Sequence, residues 1–299
     1  MIRRDWSPRI AVILGYVLTA LALTWPLPLH MGDALTGEPA GDTGVYIWNQ
    51  WVFHHELLVD GHNPLTTEQI LSLTDPVNLA QHNYTAFLNL LALPLISWLG
   101  VVRSFNVVLL VTTIITALAT YALARRVTSA TRIEAWLAGV AFAWSPVLVA
   151  RTTSHFSLVA AAPLAAFVLC LINADRSRRA RDAALAGLCM AWAGFSDPYY
   201  AVFCLMIAIG YLASRLIRVS YAQQPAAAPW RWTLDVLLLS VAGMIVGLLF
   251  GRGRRFEVLG VAISFYGLYT PVLVLTLLAL VRLAVHLRVR LFVPSCVPT

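Results

Sequence analysis

The chain has 299 residues, of which 60% are hydrophobic and only 12% charged, and its mean hydropathy is +0.76. Such a balance excludes an ordinary soluble domain, and repeated long apolar runs point to a polytopic membrane protein. The net charge of +7 comes wholly from arginine, since there is no lysine, and the arginines sit in short loops between apolar segments, which excludes a nucleic-acid surface.

The first apolar run, 10–25, follows Arg3, Arg4 and Arg9. It begins like a signal peptide, but no small-x-small cleavage site follows it, so it reads as an uncleaved first span with the N-terminus in the cytoplasm. Residues 30–84 then contain no arginine, yet hold seven of the fourteen carboxylates and five of the seven histidines. Within this stretch, GDTGVYIWNQWVFHHELLVDGHNP is the most structured part. Asp42 is well placed as an N-cap, Val45, Trp48, Val52 and Val59 recur at helical spacing, and Gly61 with Pro64 provides a stop. Trp48, Trp51 and Phe53 suit a helix lying at the membrane surface. His54, His55, Glu56 and His62 offer metal-binding atoms, but adjacent histidines point different ways on a helix and no HExxH spacing is present, so no metal site and no cofactor are expected.

Eight more apolar runs follow: 87–102, 105–124, 133–150, 156–172, 183–195, 199–213, 233–250 and 258–287. If all nine runs cross, the groups Arg125/Arg126/Arg132, Arg176/Arg178/Arg179/Arg181 and Arg215/Arg218/Arg231 fall outside, against the positive-inside rule. If the run 87–102 stays on one side, those groups and Arg288/Arg290 move inside. That run is short, begins near Asn83 and Asn89 and carries Pro94 in its middle, which suits an interfacial or re-entrant helix. The expected fold is therefore an all-α polytopic membrane protein, a single membrane domain over 1–299 with about eight transmembrane helices. Residues 30–102 form its first extracytoplasmic loop, with juxtamembrane and re-entrant helices.

This topology places three polar stations on the outer side: the long loop, the RTTSH turn at 151–155 and the FSDPYY segment at 195–200. The GRGRR turn at 251–255 joins them. Two short helices meeting at Asp197-Pro198 form a broken pair of the kind tolerated where protein or a cavity surrounds the break. Cys170, Cys189 and Cys204 lie in apolar runs and Cys296 in the tail, without CxxC spacing, giving neither a disulfide framework nor a metal site. G-x-S-x-G, P-loop and post-strand G-x-G-x-x-G signatures are also missing.

An N-terminal span, an outer loop with an aspartate just before a juxtamembrane helix, a G-x-N-P turn and a hydrophobic segment together resemble the GT-C superfamily of membrane glycosyltransferases. The stretch NVVLLVTTIITALATYALARRVTSATRIEAWLAGVAFAWSPVLVARTTSHFSLVAAAPL is similar to bacterial members that use polyprenyl-phosphate sugars, and the likeness covers roughly 10–213. The resemblance implies transfer of a sugar from a polyprenyl-phosphate donor to a cell-envelope glycan or lipid-linked acceptor, at the outer face of the cell membrane. Asp42 matches the aspartate that deprotonates the acceptor hydroxyl. The leaving phosphate calls for cationic stabilisation near the outer surface, and Arg151, Arg252, Arg254 and Arg255 are the outward arginines available. His155, Asp197, Tyr199, Tyr200 and His62 are candidate substrate-binding residues. Such enzymes usually carry more spans, so a truncated, non-catalytic homologue is one alternative; a transporter or flippase, favoured by the broken helices, is another.

Overall fold

The computed structural model describes residues 7–37, 41–70, 75–79, 85–221, 230–250, 254–258, 261–265, 268–284 and 287–291. The chain divides into two compact units, Met1–Ile209 and Gly210–Thr299. The first opens with α1 (Ser7–Leu23) and a short 3-10 turn, followed in the loop by α2 (Thr43–His54), which runs on as a π-helical turn at His55–Val59. A two-residue ladder then pairs β1 (Thr66–Thr67) with β2 (Val77–Asn78). The remaining helices of this unit are α3 (Ala86–Leu99), α4 (Val101–Val127), α5 (Arg132–Ala143), α6 (Pro146–Arg151), α7 (Ala162–Ser177), α8 (Ala180–Ser196) and α9 (Pro198–Leu216), the last running across the division.

Local chemistry sets the breaks. Thr131 and Glu134 make a reciprocal capping box that starts α5. Ser145 caps α6 through the Leu148 N–H, with Pro146 at the first helical position, so the α5–α6 rod bends at Trp144 and Ser145. At the end of α8 the Asp197 carboxylate accepts the Tyr199 N–H at 2.8 Å, and Pro198 begins α9. Gly100, at φ +76°, turns the chain between α3 and α4.

Five helical segments are long and apolar enough to cross a membrane: Val101–Val127, Arg132–Arg151, Phe156–Ser177, Pro198–Leu216 and Trp230–Phe250. The protein is thus a multi-pass, mainly helical membrane protein, but the number of full-length spans is five among the described residues, where about eight are expected. The shortfall has a physical cause. Arg9–Leu23 and Tyr269–Ala284 are shorter apolar helices, and at a rise of about 1.5 Å per residue they reach only about 22–24 Å against a hydrocarbon core of about 30 Å. α8, with 17 residues, is short for the same reason. The run 258–287 is helical only in its second part, because its start belongs to a hairpin.

That hairpin is in the second unit, where β4 (Arg254–Val258) pairs antiparallel with β5 (Val261–Phe265). The unit also holds α10 (Trp230–Phe250) and α11 (Tyr269–Ala284), which pack together, and an antiparallel pair of β3 (Ile217–Tyr221) with β6 (Leu287–Leu291). The guanidinium of Arg282 on α11 makes a two-pronged bond to the Asp235 carboxylate on α10, with Nε to Oδ1 at 2.6 Å.

In the first unit α4 is the central helix, in contact with α1, α2, α3, α5 and α7. Thr112, Thr113, Thr116 and Thr120 on α4 return their hydroxyls to carbonyls three or four residues back, so they cross the apolar interior without an unmet donor. Where α1, α4 and α5 meet, the Tyr16 hydroxyl donates to the Trp136 carbonyl at 3.0 Å and the two rings stack with centroids 5.6 Å apart. Gly139 lets them approach: a Cβ there would stand 2.1 Å from the Tyr16 hydroxyl and 2.7 Å from the Ala117 carbonyl oxygen. Small residues at such crossings replace the hydrophobic drive that lipid removes.

The loop between α1 and α2 is fastened to the α6–α7 connection. Thr36 Oγ1 donates to the Thr152 carbonyl at 2.7 Å, and Thr43 Oγ1 lies 3.0 Å from the Thr36 carbonyl and 3.4 Å from that of Thr153. Gly37, at φ +108°, fits between them, since a Cβ would stand 2.4 Å from the Thr153 oxygen. Asn106 on α4 donates to the carbonyls of Met31 and Ala34. Beneath this clasp lies a core of Leu27, Tyr46, Leu88, Phe105, Val108, Leu109, Phe156 and Val159, with the Phe105 and Phe156 rings stacked at 4.2 Å.

Two substitutions test this packing. Gly139→Ala is expected to destabilise the α1–α4–α5 crossing by about 1–3 kcal/mol through overpacking, whereas Gly187→Ala, where a Cβ meets nothing within 4 Å, leaves the thermal midpoint in detergent unchanged or higher. Gly37→Ala is expected to loosen the clasp at a cost of about 1–3 kcal/mol, read as faster proteolysis within residues 30–42 while the transmembrane core stays protected.

Candidate functional site

The helix α2 faces the protein with polar side chains. Its buried residues are Thr43, Tyr46, Asn49, Gln50, Val52 and Phe53, continued by Glu56 in the π-helical turn. The expected apolar stripe is therefore not the buried face: Val45 and Val59 are exposed and only Val52 is fully covered. In a membrane setting the usual amphipathic logic turns round, with apolar residues free to meet lipid and polar ones turned inward to find partners. The Tyr46 hydroxyl meets Ser157 Oγ at 3.2 Å.

Asp42 stands at the head of this helix. It occupies the N-cap position, but its side chain makes no capping hydrogen bond. Instead Oδ2 faces His155 Nε2 at 3.8 Å, with the aspartate 52% and the histidine 42% exposed. An ion pair this open contributes at most about 1 kcal/mol to stability, so the pair is poorly explained as a structural staple. His155 Nδ1 lies 3.0 Å from Ser154 Oγ; when that nitrogen accepts the serine proton, Nε2 carries the imidazole hydrogen towards Asp42. The backbone N–H of His155 bonds to the Arg151 carbonyl at 2.9 Å, which fixes arginine and histidine in one turn at the end of α6.

The FSDPYY segment meets the same connection from the other side. Tyr200 is buried and donates its hydroxyl to the Leu158 carbonyl. Arg151 and Asp197 both lie close enough to that phenol to act on it electrostatically. Asp197, 5% exposed, is engaged in capping α9, and Tyr199 is 66% exposed. Residues 151–158 thus touch Asp42 through His155 and Tyr200 through Leu158.

The remaining expected residues are placed differently. Arg252 lies outside the described residues, and Arg254 and Arg255 are described only as backbone at the start of β4, in the second unit. His62 is not beside Asp42. Residues 42 and 56 are separated by about 20 Å along the helix axis at 1.5 Å per residue, and His62 Nδ1 is 3.7 Å from Glu56 Oε2.

His62 instead belongs to a second polar cluster at the tail of α2. Glu56, Asp60 and His62 bring ligand atoms within 4.8 Å of one another, with Glu56 buried and the others exposed. No metal site is expected here from adjacent histidines or HExxH spacing; Glu56 and Asp60 stand instead at i and i+4, followed by Gly61 and His62.

No curated protein and no solved structure matches this chain. One family model does, described as Domain of unknown function (DUF6311), over residues 6–283. That match covers most of the sequence, including every element that carries the Asp42 and His155 pair, and the chain belongs to the DUF6311 family.

Proposed function

We propose that this protein is a GT-C-type glycosyltransferase that moves a sugar from a polyprenyl-phosphate donor to a glycan or lipid-linked acceptor at the extracytoplasmic face of the cell membrane. The observation that carries the reading is the pairing of Asp42 with His155, by a carboxylate at a helix start whose side chain does not cap that helix. The acceptor hydroxyl gives its proton to Asp42, and its oxygen attacks the anomeric carbon. The bond from that carbon to the phosphate oxygen breaks, and the polyprenyl phosphate leaves with the electron pair. Arg151 stabilises the charge on the departing phosphate. His155, facing Asp42 across 3.8 Å, acts on the carboxylate electrostatically and binds sugar hydroxyls, while Asp197, Tyr199 and Tyr200 border the acceptor path.

Charge distribution supports the orientation this requires. Eight crossings, made by α1, α4, α5–α6, α7, α8, α9, α10 and α11 with a cytoplasmic N-terminus, leave α3 on the outer side. They put Arg125, Arg126, Arg132, Arg176, Arg178, Arg179, Arg181, Arg215, Arg218 and Arg231 inside, with Asp42 and the 151–155 turn outside. The short helices fit this count if they lie in locally thinned bilayer, at a modest cost per ångström of mismatch.

Two measurements test the reading. In a cysteine-free background, Gly61→Cys is expected to react with a membrane-impermeant maleimide in intact cells and Arg178→Cys only after permeabilisation; the reverse pattern removes the outward site. In membranes supplied with polyprenyl-phosphate sugars, Asp42→Asn is expected to lower transfer by about 100- to 10,000-fold, the range of a general base, with His155→Ala giving a smaller loss. Undiminished transfer by Asp42→Asn would refute the base assignment, and movement of labelled lipid across vesicles without any transfer would replace the enzyme by a flippase.

A further inference from the structure

We infer that Glu56, Asp60 and His62 form a binding site for a divalent transition cation of the zinc type, independent of the Asp42 and His155 pair and of the glycosyltransferase reading. The geometry begins with the backbone. Glu56 lies on the π-helical turn and Asp60 caps its end, and Gly61, at φ +70°, reverses the chain so that the His62 N–H bonds back to the Glu56 carbonyl at 2.6 Å. The three donor atoms fall within 4.8 Å of one another, and this is the one such trio among the described residues. Ligands of a tetrahedral ion bound at about 2.1 Å stand about 3.4 Å apart. Rotation of the exposed Asp60 and His62 side chains closes that difference.

Electrostatics favours a cation over the bare cluster. Glu56 is 4% exposed, and a buried carboxylate is costly unless it is paired. Its nearest cationic candidate, His62 Nδ1, is 3.7 Å from Oε2, beyond a good hydrogen bond. Asp60 adds a second negative charge beside it. A divalent ion can meet both carboxylates at once, which a single imidazole nitrogen does not.

The outer ring is already in place. Thr67 Oγ1 donates to Glu56 Oε1 at 2.6 Å, leaving Oε2 turned to His62. His55 Nε2 lies 3.3 Å from Asp60 Oδ2, and its ring stacks on Trp51 with centroids 4.9 Å apart. Both carboxylates therefore have an orienting partner, and for Glu56 it sits on the oxygen that does not face His62, an arrangement characteristic of metal ligands. Two oxygens and one imidazole nitrogen suit zinc or manganese better than magnesium, which favours oxygens and near-ideal octahedral geometry. The exposed fourth position admits water. A bound ion would tie the tail of α2 to β1 through Thr67, far from Asp42.

The test uses the full chain, purified in detergent, stripped with a chelator and dialysed against Zn2+. Elemental analysis is expected to give one equivalent for the native protein and for His30→Ala, and a loss of that equivalent for His62→Ala and for Asp60→Asn. Thr67→Ala is expected to weaken binding by about 10- to 100-fold. Co2+ loaded in place of Zn2+ should give visible absorption bands that disappear in His62→Ala, while Mg2+ in large excess leaves the bound zinc in place. Thermal midpoints without metal are expected to match the native chain in His62→Ala, which separates lost binding from lost folding. A full equivalent retained by both His62→Ala and Asp60→Asn, or no zinc held by the native chain, overturns the site. Neither result bears on sugar transfer, which is read through Asp42.

Discussion

The threonine clasp between the α1–α2 loop and the α6–α7 connection is the contact on which the placing of α2 depends. Thr36 and Thr43 reach the carbonyls of Thr152 and Thr153, and Gly37 lets the two strands of backbone come together. The last carbonyls of α6 are closed locally, those of Val149 and Ala150 by the Thr152 and Thr153 hydroxyls and that of Arg151 by the His155 N–H. The carbonyls of Thr152 and Thr153, just beyond the helix, are then the ones that hold the loop. Asp42 comes to face His155 as a consequence, because Thr43 is its neighbour and Thr153 lies two residues before the histidine.

The same constraint accounts for the inward polar face of α2. Tyr46, Asn49, Gln50 and Glu56 are buried while Leu57, Leu58 and Val59 are exposed. In water this distribution would be costly on both faces; next to lipid, the exposed aliphatic groups carry no penalty and the buried polar groups rigidify the seat of the helix. Polar residues then appear at both ends of one rigid rod, with Asp42 at its head and Glu56 at its tail. Two members of this seat are held by named bonds, Tyr46 to Ser157 and Glu56 to Thr67, whereas both amide atoms of Gln50 are buried without a hydrogen bond among the described residues.

Much of this was legible in the sequence, and the reasons are physical. Arginine asymmetry across short loops is additive, so it places Asp42 and the 151–155 turn on one proposed side without knowledge of packing. Thr131 with Glu134, and Ser145 with Pro146, announce helix starts locally, since a cap needs only residues three apart. The buried face of α2 was not legible, because spacing alone marks Val45, Val52 and Val59 as a stripe but does not say whether that stripe meets protein or lipid. Helix ends near 258–268 were also hidden, as the valines and isoleucines of β4 and β5 serve a strand and a span equally well. The trio of Glu56, Asp60 and His62 depends on a π-helical turn and a glycine reversal, neither of which has a sequence period.

The bond between Arg282 and Asp235 has a bearing on how α10 and α11 are aligned. An arginine or an aspartate entering the bilayer on a lone helix must bring water or neighbouring headgroups with it. Here each helix carries one half of a neutral pair, with Asp235 early in α10 and Arg282 late in α11, at the matching ends of an antiparallel hairpin. Asp235 also feels Arg231, one turn earlier on α10 itself, so cations from both helices gather on one carboxylate at this end of the hairpin. The pairing then fixes how far α11 can slide along α10, since a shift of one turn would part the guanidinium from the carboxylate.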